Sequence, residues 1–442
     1  MSAKKIFKII GVVACAAIVA TGIPGWVMNG SEAEGANGNT VVSVMFHVSS
    51  SSKEGQAYKK RIDAFNEAYK EKKIKATANY IPRTEGSSAY ETALISMKIS
   101  NKLPDIITFD APKCSYYAAN NYLYDITKMV EDIKDEFFEG SVNYYNGSIY
   151  GLPIQESSAG FYYNADLFKK AGISDKEISD YGDETPWTYD EFKSVCSRLK
   201  SVCSKPPVSM SIGGTSDETA PYLLYPFVYA SGGQFASEDG NTVKGYLDSA
   251  KTVSTFEFFQ ELINEGYTND AVDANAFYNG EIAMYLSSGW TIADLRNKNY
   301  SAFPNGSNWG LLPYPYKEEG CAASATGSWS FGITQNHHKD KSAARELLKW
   351  LVSDESSKVI TEHTGMISAK KKVNEGRYES GSPEAMLLQQ LANTGKARPP
   401  MVGYSVLSTT FNQIIHELGR TDDLKSLITE RTITLQETID KY

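Results

Sequence analysis

The sequence has few of the residues on which catalytic and metal sites are usually built. It contains five histidines and five cysteines among 442 residues. The Gly-X-Ser-X-Gly, Walker-type and His-Glu-X-X-His spacings are all absent. A glycosidase would need two carboxylates about 5–10 Å apart; Asp110 and Glu156 could supply them, but nothing in the sequence separates a catalytic pair from a ligand-gripping pair. We therefore predict a protein that is not an enzyme and uses no metal or cofactor.

The chain also lacks an excess of basic residues. Its 44 Lys and Arg against 53 Asp and Glu give a formal net charge of −9. Because nucleic-acid binding depends on a basic surface, this balance argues against a nucleic-acid partner. The acidic residues form no run of like charges, so they indicate solubility rather than a charged partner.

Long hydrophobic runs are absent after the first 28 residues. Three lysines precede residues 9–28, which carry no charge, and this arrangement is typical of an export signal. Residues 12–15, Val-Val-Ala-Cys, fit a lipobox in which Cys15 would be lipidated, although the apolar run continues beyond it. There are two alternatives. The signal could be cleaved at a position after Cys15, or it could remain as an uncleaved anchor of about 20 residues. All three place the residues after 40 outside the cytoplasmic membrane.

Four more cysteines follow, at Cys114, Cys196, Cys203 and Cys321. A disulfide can form outside the cell, and Cys196 with Cys203, close in sequence around a predicted helix end, is the best candidate pair. The alternative is four buried or free thiols. The spacing is not that of a zinc site, and the His337-His338 pair is expected on the surface.

The length suggests about two domains. Residues 29–40 are small and polar and predict a flexible tether. Strands and helices are then predicted in alternation, the pattern of a parallel sheet covered by helices: strand 41–47, helix 58–69, strand 74–81, helix 90–100 and strand 103–110. Ligands bind at the carboxyl ends of such strands, which draws attention to His47, Ser51, Glu85 and Asp110.

Residues 147–192 are the most informative part of the chain. Gly-Ser-Ile-Tyr-Gly-Leu-Pro-Ile-Gln predicts one strand, and Gly-Phe-Tyr-Tyr-Asn after it predicts an aromatic strand. Gly172 ends the short helix that follows. Thr188, with Glu191 three residues later, predicts a capping box at the start of the next helix.

This order resembles the crossing between the lobes of extracellular solute-binding proteins, the sugar-binding family that feeds ABC importers. Further segments continue the resemblance, closest to its maltose-binding-protein branch, and it covers roughly residues 40–440. A turn at Asp239-Gly240 is expected to join two short strands. The matching segments are Pro-Tyr-Leu-Leu-Tyr-Pro (221–226), Gly-Gly-Gln-Phe (232–235), Gly-Trp (289–290) and Gly-Ser-Trp-Ser-Phe-Gly (327–332).

The resemblance implies an α/β fold of two lobes, the periplasmic-binding-protein-like type II fold, with a cleft between the lobes. Crossing segments are expected near 151–158, 322–328 and 366–370, followed by helices at 406–418 and 422–439. The implied domains are a signal or membrane anchor at 1–28, the tether at 29–40, a first lobe at 41–152 plus 327–368, and a second lobe at 158–322 plus 370–442.

A sugar offers hydroxyl edges and flat C–H faces, so its site needs rings to stack on and paired polar groups. Each candidate also has a structural alternative, as a core ring, a helix cap or a solvated hinge residue. His47 and Arg398 are further candidates, as a hydroxyl donor and a clamp. The expected ligand-binding residues are Trp290, Trp329, Asp110, Glu156, Tyr222, Tyr225, Tyr404, Ser51 and Glu85.

The function implied by the resemblance is that of a monomeric extracytoplasmic substrate-binding protein of an ABC carbohydrate importer. It would sit at the outer face of the cell membrane, held by a lipid anchor or an N-terminal helix, and deliver its ligand to the permease subunits. The number of candidate rings favours an oligosaccharide, although a polar host-glycan fragment would look the same. A sugar sensor presented to a membrane receptor kinase and a glycan-active enzyme are the alternatives.

Overall fold

The computed structural model of the chain describes residues 38–83, 89–180, 186–212, 218–327 and 329–441. The predicted signal with Cys15, most of the tether, and Glu85 lie outside the described residues. Among the helices of the described ranges, none is both long and apolar enough to cross a membrane.

Strands are distributed along most of the described chain. Those predicted at 41–47, 74–81 and 103–110 are confirmed as β1, β2 and β3, each within a few residues of its expected bounds. The strands are β1 (Thr40–Phe46), β2 (Ile74–Tyr80), β3 (Ile106–Asp110), β4 (Asn143–Tyr145), β5 (Ser148–Gln155), β6 (Ala159–Asn164), β7 (Val208–Ser209), β8 (Met284–Ser288), β9 (Trp309–Leu312), β10 (Ser324–Ala325), β11 (Trp329–Ile333) and β12 (Gly395–Lys396).

Helices alternate with these strands. Short 3-10 turns complete the list, of which Ala111–Lys113 and Glu139–Ser141 matter below. The helices are α1 (Lys53–Ala68), α2 (Ala89–Ile99), α3 (Cys114–Ala119), α4 (Thr127–Val130), α5 (Ala165–Lys170), α6 (Asp175–Asp180), α7 (Tyr189–Lys200), α8 (Thr219–Ala230), α9 (Ala250–Asn264), α10 (Ala274–Tyr278), α11 (Trp290–Asn297), α12 (Ser342–Leu351), α13 (Asp354–Thr364), α14 (Pro383–Asn393), α15 (Tyr404–Glu417) and α16 (Leu424–Ile439).

The strands form two main sheets. The first has the order β2-β1-β3-β11-β5-β4, with β1 parallel to β2 and β3, and β11 antiparallel to β3 and β5. The second has the order β7-β8-β6-β9, and β10 pairs with β12 in a short ribbon. The central strand β11 therefore reaches the first sheet from a distant part of the sequence.

Both faces of each sheet are covered by hydrophobic clusters. In β1, Val44 and Phe46 belong to the cluster on one face and Met45 to that on the other, as expected when successive side chains alternate. In β6, Phe161 and Tyr162 divide in the same way between the two clusters of the second sheet. We call the first sheet and the residues packed on its faces the first-sheet side. The second sheet and the residues packed on its faces are the second-sheet side.

Segments that connect the two sides lie next to one another. The Glu156 N–H donates to the Ile367 carbonyl at 2.9 Å. The Ser157 hydroxyl donates to the Gly327 carbonyl at 2.9 Å, and the Gly327 N–H donates back to the Ser157 carbonyl at 3.2 Å. The connections at 156–158 and 326–327 are thus tied together, with residue 367 beside them.

Local sequence signals account well for the helix starts. The predicted capping box is confirmed: the Glu191 N–H donates to the Thr188 hydroxyl at 3.2 Å, and the Glu191 carboxylate accepts from the Thr188 N–H at 2.8 Å. This arrangement satisfies two N–H groups that would otherwise lack partners at the start of α7.

One expectation about local structure was wrong, and another was right for His337, which is exposed, but not for His338. Asp239-Gly240 lies in a turn closed by the Ser237 N–H donating to the Thr242 carbonyl, but no strands flank it. His338 is not simply on the surface, because its Nδ1 lies 2.8 Å from the buried Asp105 carboxylate. That carboxylate also accepts from the Ser43 N–H and hydroxyl, so His338 is tied to a buried, hydrogen-bonded acid.

The suggested disulfide between Cys196 and Cys203 is also absent, since both thiols are free. Cys196 is fully buried on α7 in the core of the second-sheet side, and Cys203 packs against the same cluster. Burial raises the pKa of Cys203 to about 11, so both sulfurs serve as small apolar groups in this core.

Candidate functional site

Several predicted residues meet at one edge of the first sheet. Asp110 ends β3, Glu156 follows β5, and His47 follows β1. Trp329 begins β11 and, because that strand is antiparallel, it lies directly beside Asp110 in the sheet register. This edge faces the second-sheet side, as expected when ligands bind at strand ends.

Arg398 reaches Asp110 from the second-sheet side. Its Nη2 donates to Asp110 Oδ1 at 2.7 Å and its Nη1 donates to Oδ2 at 3.0 Å. Arg398 is 7% exposed and Asp110 is 8% exposed. Such two-pronged pairs between guanidinium and carboxylate groups combine strength with a fixed orientation. The structure therefore brings these two sequence-predicted residues together across the sheets.

Arg398 is held by a second carboxylate, which sequence reasoning missed. Glu218, at the start of α8, accepts from Arg398 Nη1 at 3.0 Å and from the Ser408 hydroxyl at 2.6 Å. The Tyr404 hydroxyl also donates to Glu218. Burial alone would lower the pKa of Arg398, but the Asp110 carboxylate raises it above its ordinary value, so the side chain stays charged.

Aromatic rings continue the site on the second-sheet side. Trp290 begins α11 directly after the end of β8 and is 44% exposed, which leaves its ring open to a ligand. The Tyr222 ring lies 6.1 Å from it, and the Arg398 guanidinium carbon lies 5.7 Å from the Tyr222 ring. The Tyr222 hydroxyl lies 2.8 Å from the Ser157 hydroxyl, which connects this ring to the crossing segments.

On the first-sheet side, Trp329 is partly covered by its neighbours. The Arg83 guanidinium carbon lies 4.5 Å from its ring centre, and His47 meets the ring edge-on at 5.2 Å. The pKa of His47 is lowered to about 4, chiefly by burial, with Arg83 lowering it and Glu91 opposing the shift. His47 is therefore neutral at physiological pH and offers one donor and one acceptor.

A pocket of about 240 Å³ lies between the two sides next to Arg398. Its walls come from the turn after β3, from the loop and strand at 139–144, and from the segment before α15. The lining residues are Ala111, Pro112, Cys114, Glu139, Gly140, Val142, Asn143, Tyr144, Glu156, Thr326, Ala397, Arg398 and Pro400.

Other predicted residues lie away from this pocket. Tyr225 is 1% exposed and stacks on Phe235 in the core, so its ring fills the protein interior. Tyr404 is equally buried and positions Glu218. Ser51 is exposed in the loop before α1, with its hydroxyl 2.8 Å from that of Ser49. The structure does not bring these three together with Trp290.

Glu218, Glu139 and Tyr144 are the site residues that the sequence interpretation missed. Glu218 could have been found as an acidic residue directly before the aromatic helix that carries Tyr222. Tyr144 gave no comparable signal, since the short strand β4 holds two neighbouring tyrosines and only the fold decides which of them lines the pocket.

Comparison with known proteins gives a consistent picture. The sequence model of a family described as bacterial extracellular solute-binding protein matches residues 49–358. An arabinooligosaccharide-binding protein of Bacillus subtilis is 23% identical over 214 residues, 48% of this chain and 45% of the relative. An sn-glycerol-3-phosphate-binding periplasmic protein of Escherichia coli is 24% identical over 300 residues, 63% of this chain and 64% of the relative. The chain thus spans less than two-thirds of the length of either relative.

A solved structure supports the fold. The cyclic α-maltosyl-1,6-maltose binding protein of Arthrobacter globiformis superposes with a TM-score of 0.75 at 19% sequence identity. The match covers 92% of this chain and 100% of that one. At this identity the likeness shows the fold, which is the α/β architecture of two lobes expected from the sequence.

Proposed function

The chain belongs to the bacterial extracellular solute-binding proteins, and from this premise we propose that it captures an oligosaccharide between its two sides for an ABC-type importer. The observation that carries the proposal is the pair of Asp110 and Arg398, which joins the two sides beside a pocket. Rings and paired polar groups are what the faces and hydroxyl edges of a sugar require.

The names of relatives support a saccharide. The Bacillus subtilis relative is an arabinooligosaccharide-binding protein and the Arthrobacter globiformis structure is a maltosyl-maltose binding protein. The Escherichia coli relative binds sn-glycerol-3-phosphate, which makes a small phosphorylated ligand the competing class.

The proposed mechanism is closure of two lobes around the ligand. The first lobe would be residues 41–152 plus 327–368 and the second 158–322 plus 370–442, with the tied crossing segments as the hinge. A ligand that contacts both lobes shifts the equilibrium toward the closed form only to the extent that it binds this form more tightly than the open form. The permease subunits would then recognise the closed shape.

We further propose that the protein is a monomer at the outer face of the cell membrane, held through a lipid on Cys15 or through an N-terminal helix. The support for this is the charge-free run at 9–28 and the lipobox at 12–15. Mass spectrometry of the N-terminal peptide, from protein isolated from membranes, would distinguish a lipidated Cys15 from a retained N-terminal helix.

The ligand class is tested by thermal shift with a panel of saccharides and sn-glycerol-3-phosphate, since a bound ligand stabilises the folded form by mass action. We expect neutral oligosaccharides to raise the melting temperature and small-angle scattering to show compaction with the same compounds. The absence of any shift across maltooligosaccharides, arabinooligosaccharides and chitooligosaccharides would contradict the proposal.

A further inference from the structure

The pocket beside Arg398 has a wall that no sequence motif indicated. The loop and strand at 139–144 place Tyr144 at its mouth, where the side chain is 44% exposed, and Glu139 nearby is also exposed. An exposed aromatic ring beside a carboxylate offers a stacking surface and a hydroxyl acceptor in one place. Asn143 and Glu156 line the same pocket and are buried.

The charges around the pocket disfavour anionic ligands. Among the described residues that line it, Arg398 is the only cationic side chain, and it is already paired with Asp110 and Glu218. Two acidic residues, Glu139 and Glu156, line the same pocket. An anionic group placed here would therefore meet carboxylates and a cation whose charge is compensated.

The size of the pocket limits what fills it. At about 240 Å³ it is smaller than the roughly 300–1,000 Å³ typical of sites for drug-sized molecules. It suits a single sugar ring at one end of a longer ligand better than a whole oligosaccharide.

We infer that this pocket is a subsite for one uncharged sugar ring, stacked on Tyr144, and that it selects neutral saccharides over phosphorylated ones. This inference rests on the proposed function and adds to it the charge class of the ligand and one residue, Tyr144, that contacts it. In this arrangement Tyr144 supplies the platform, while Glu139 accepts from hydroxyls at the mouth of the pocket.

The neighbouring tyrosine provides a matched control. Tyr145 follows Tyr144 in β4 but does not line the pocket, and its ring instead meets Tyr150 at 6.2 Å. Titration calorimetry would use maltooligosaccharides, arabinooligosaccharides and chitooligosaccharides of two to five units with the full extracytoplasmic chain. We expect Tyr144→Ala to weaken the tightest of these about tenfold, Tyr144→Phe to bind like the wild type, and Tyr145→Ala to change affinity by less than about twofold.

The outcomes separate the subsite from the proposed function. If the wild type binds a saccharide and Tyr144→Ala binds it equally well, the subsite inference fails while the function stands. If no saccharide of the panel binds the wild type, the function fails. Binding of sn-glycerol-3-phosphate as tight as that of the best saccharide would overturn the selection for neutral ligands. Circular dichroism and melting of each variant would show that the fold is intact.

Discussion

Asp110 and Arg398 are 288 positions apart in the sequence, yet they form a two-pronged ion pair that joins the first-sheet side to the second-sheet side. Because both are more than nine-tenths buried, neither charge has ready access to water when its partner is removed. Glu218 and Tyr404 fix Arg398 to its own side, so the contact with Asp110 is the part of this network that depends on the two sides meeting.

Replacing Asp110 with Asn should therefore open the unliganded protein. The substitution keeps the size of the side chain but removes the charge that holds Arg398 across the gap. We expect a larger radius of gyration by small-angle scattering without ligand, together with weaker saccharide binding.

Glu218→Gln is the control for that experiment. It removes the charge of another carboxylate that binds Arg398, but it leaves the Asp110–Arg398 link between the two sides in place. Its unliganded radius should match that of the wild type. An Asp110→Asn protein with the wild-type radius would show that the pair does not hold the two sides together.

Trp290→Ala should preserve the fold and reduce affinity. Since 44% of this side chain is already exposed, its removal leaves no large cavity. Loss of a stacking ring should cost about 1–3 kcal/mol of binding free energy, measured by titration calorimetry.

The buried Trp187, 4% exposed, is the matched comparison. Trp187→Ala should lower the free energy of unfolding by about 3–5 kcal/mol, because it leaves a cavity in the core. A large loss of stability in Trp290→Ala with unchanged affinity would place that ring in the core as well.

Removing single hydroxyl groups should distinguish two tyrosines of α8. The Tyr222 hydroxyl lies within hydrogen-bond distance of Ser157 and Ser288, at 2.8 and 3.1 Å. Among the described residues, the Tyr225 hydroxyl has no hydrogen-bond partner. Tyr222→Phe should therefore cost about 1 kcal/mol of unfolding free energy in urea titrations, whereas Tyr225→Phe should be neutral or slightly stabilising. Equal costs for the two would contradict this assignment.

His47 should make stability depend on pH. Its pKa falls from 6.5 in the unfolded chain to about 4 in the folded protein because of burial. Between these values the unfolded chain binds a proton that the folded protein does not, so the free energy of unfolding decreases as the pH falls from 6.5 to 4.

We expect His47→Gln to lose less stability than the wild type over this interval, measured by urea unfolding at several pH values. His337→Gln, a histidine replacement at an exposed position, provides the comparison. Parallel curves for His47→Gln and the wild type would show that this imidazole does not contribute.

Short-range features of the fold could be predicted, because their causes lie within a few residues. The capping box of Thr188 and Glu191 and the strand β1 are of this kind. The pairing of Asp110 with Arg398 could not be predicted, since nothing local relates residues so far apart. Tyr222 and Tyr225 share one helix, but α8 is buried over most of its surface, so helical spacing alone could not separate the ring in the site from the ring in the core.

The position of β11 determines when the first sheet can form during synthesis of the chain. Residues 329–333 form the strand between β3 and β5, so a growing polypeptide that ends before them has a gap in the middle of its first sheet. In such an incomplete chain the facing edges of β3 and β5 lack their partner strand, and the non-local pairing that fills the gap is slow. The first sheet therefore cannot be completed until roughly three-quarters of the chain has been synthesised, whereas every strand of the second sheet is made before that point.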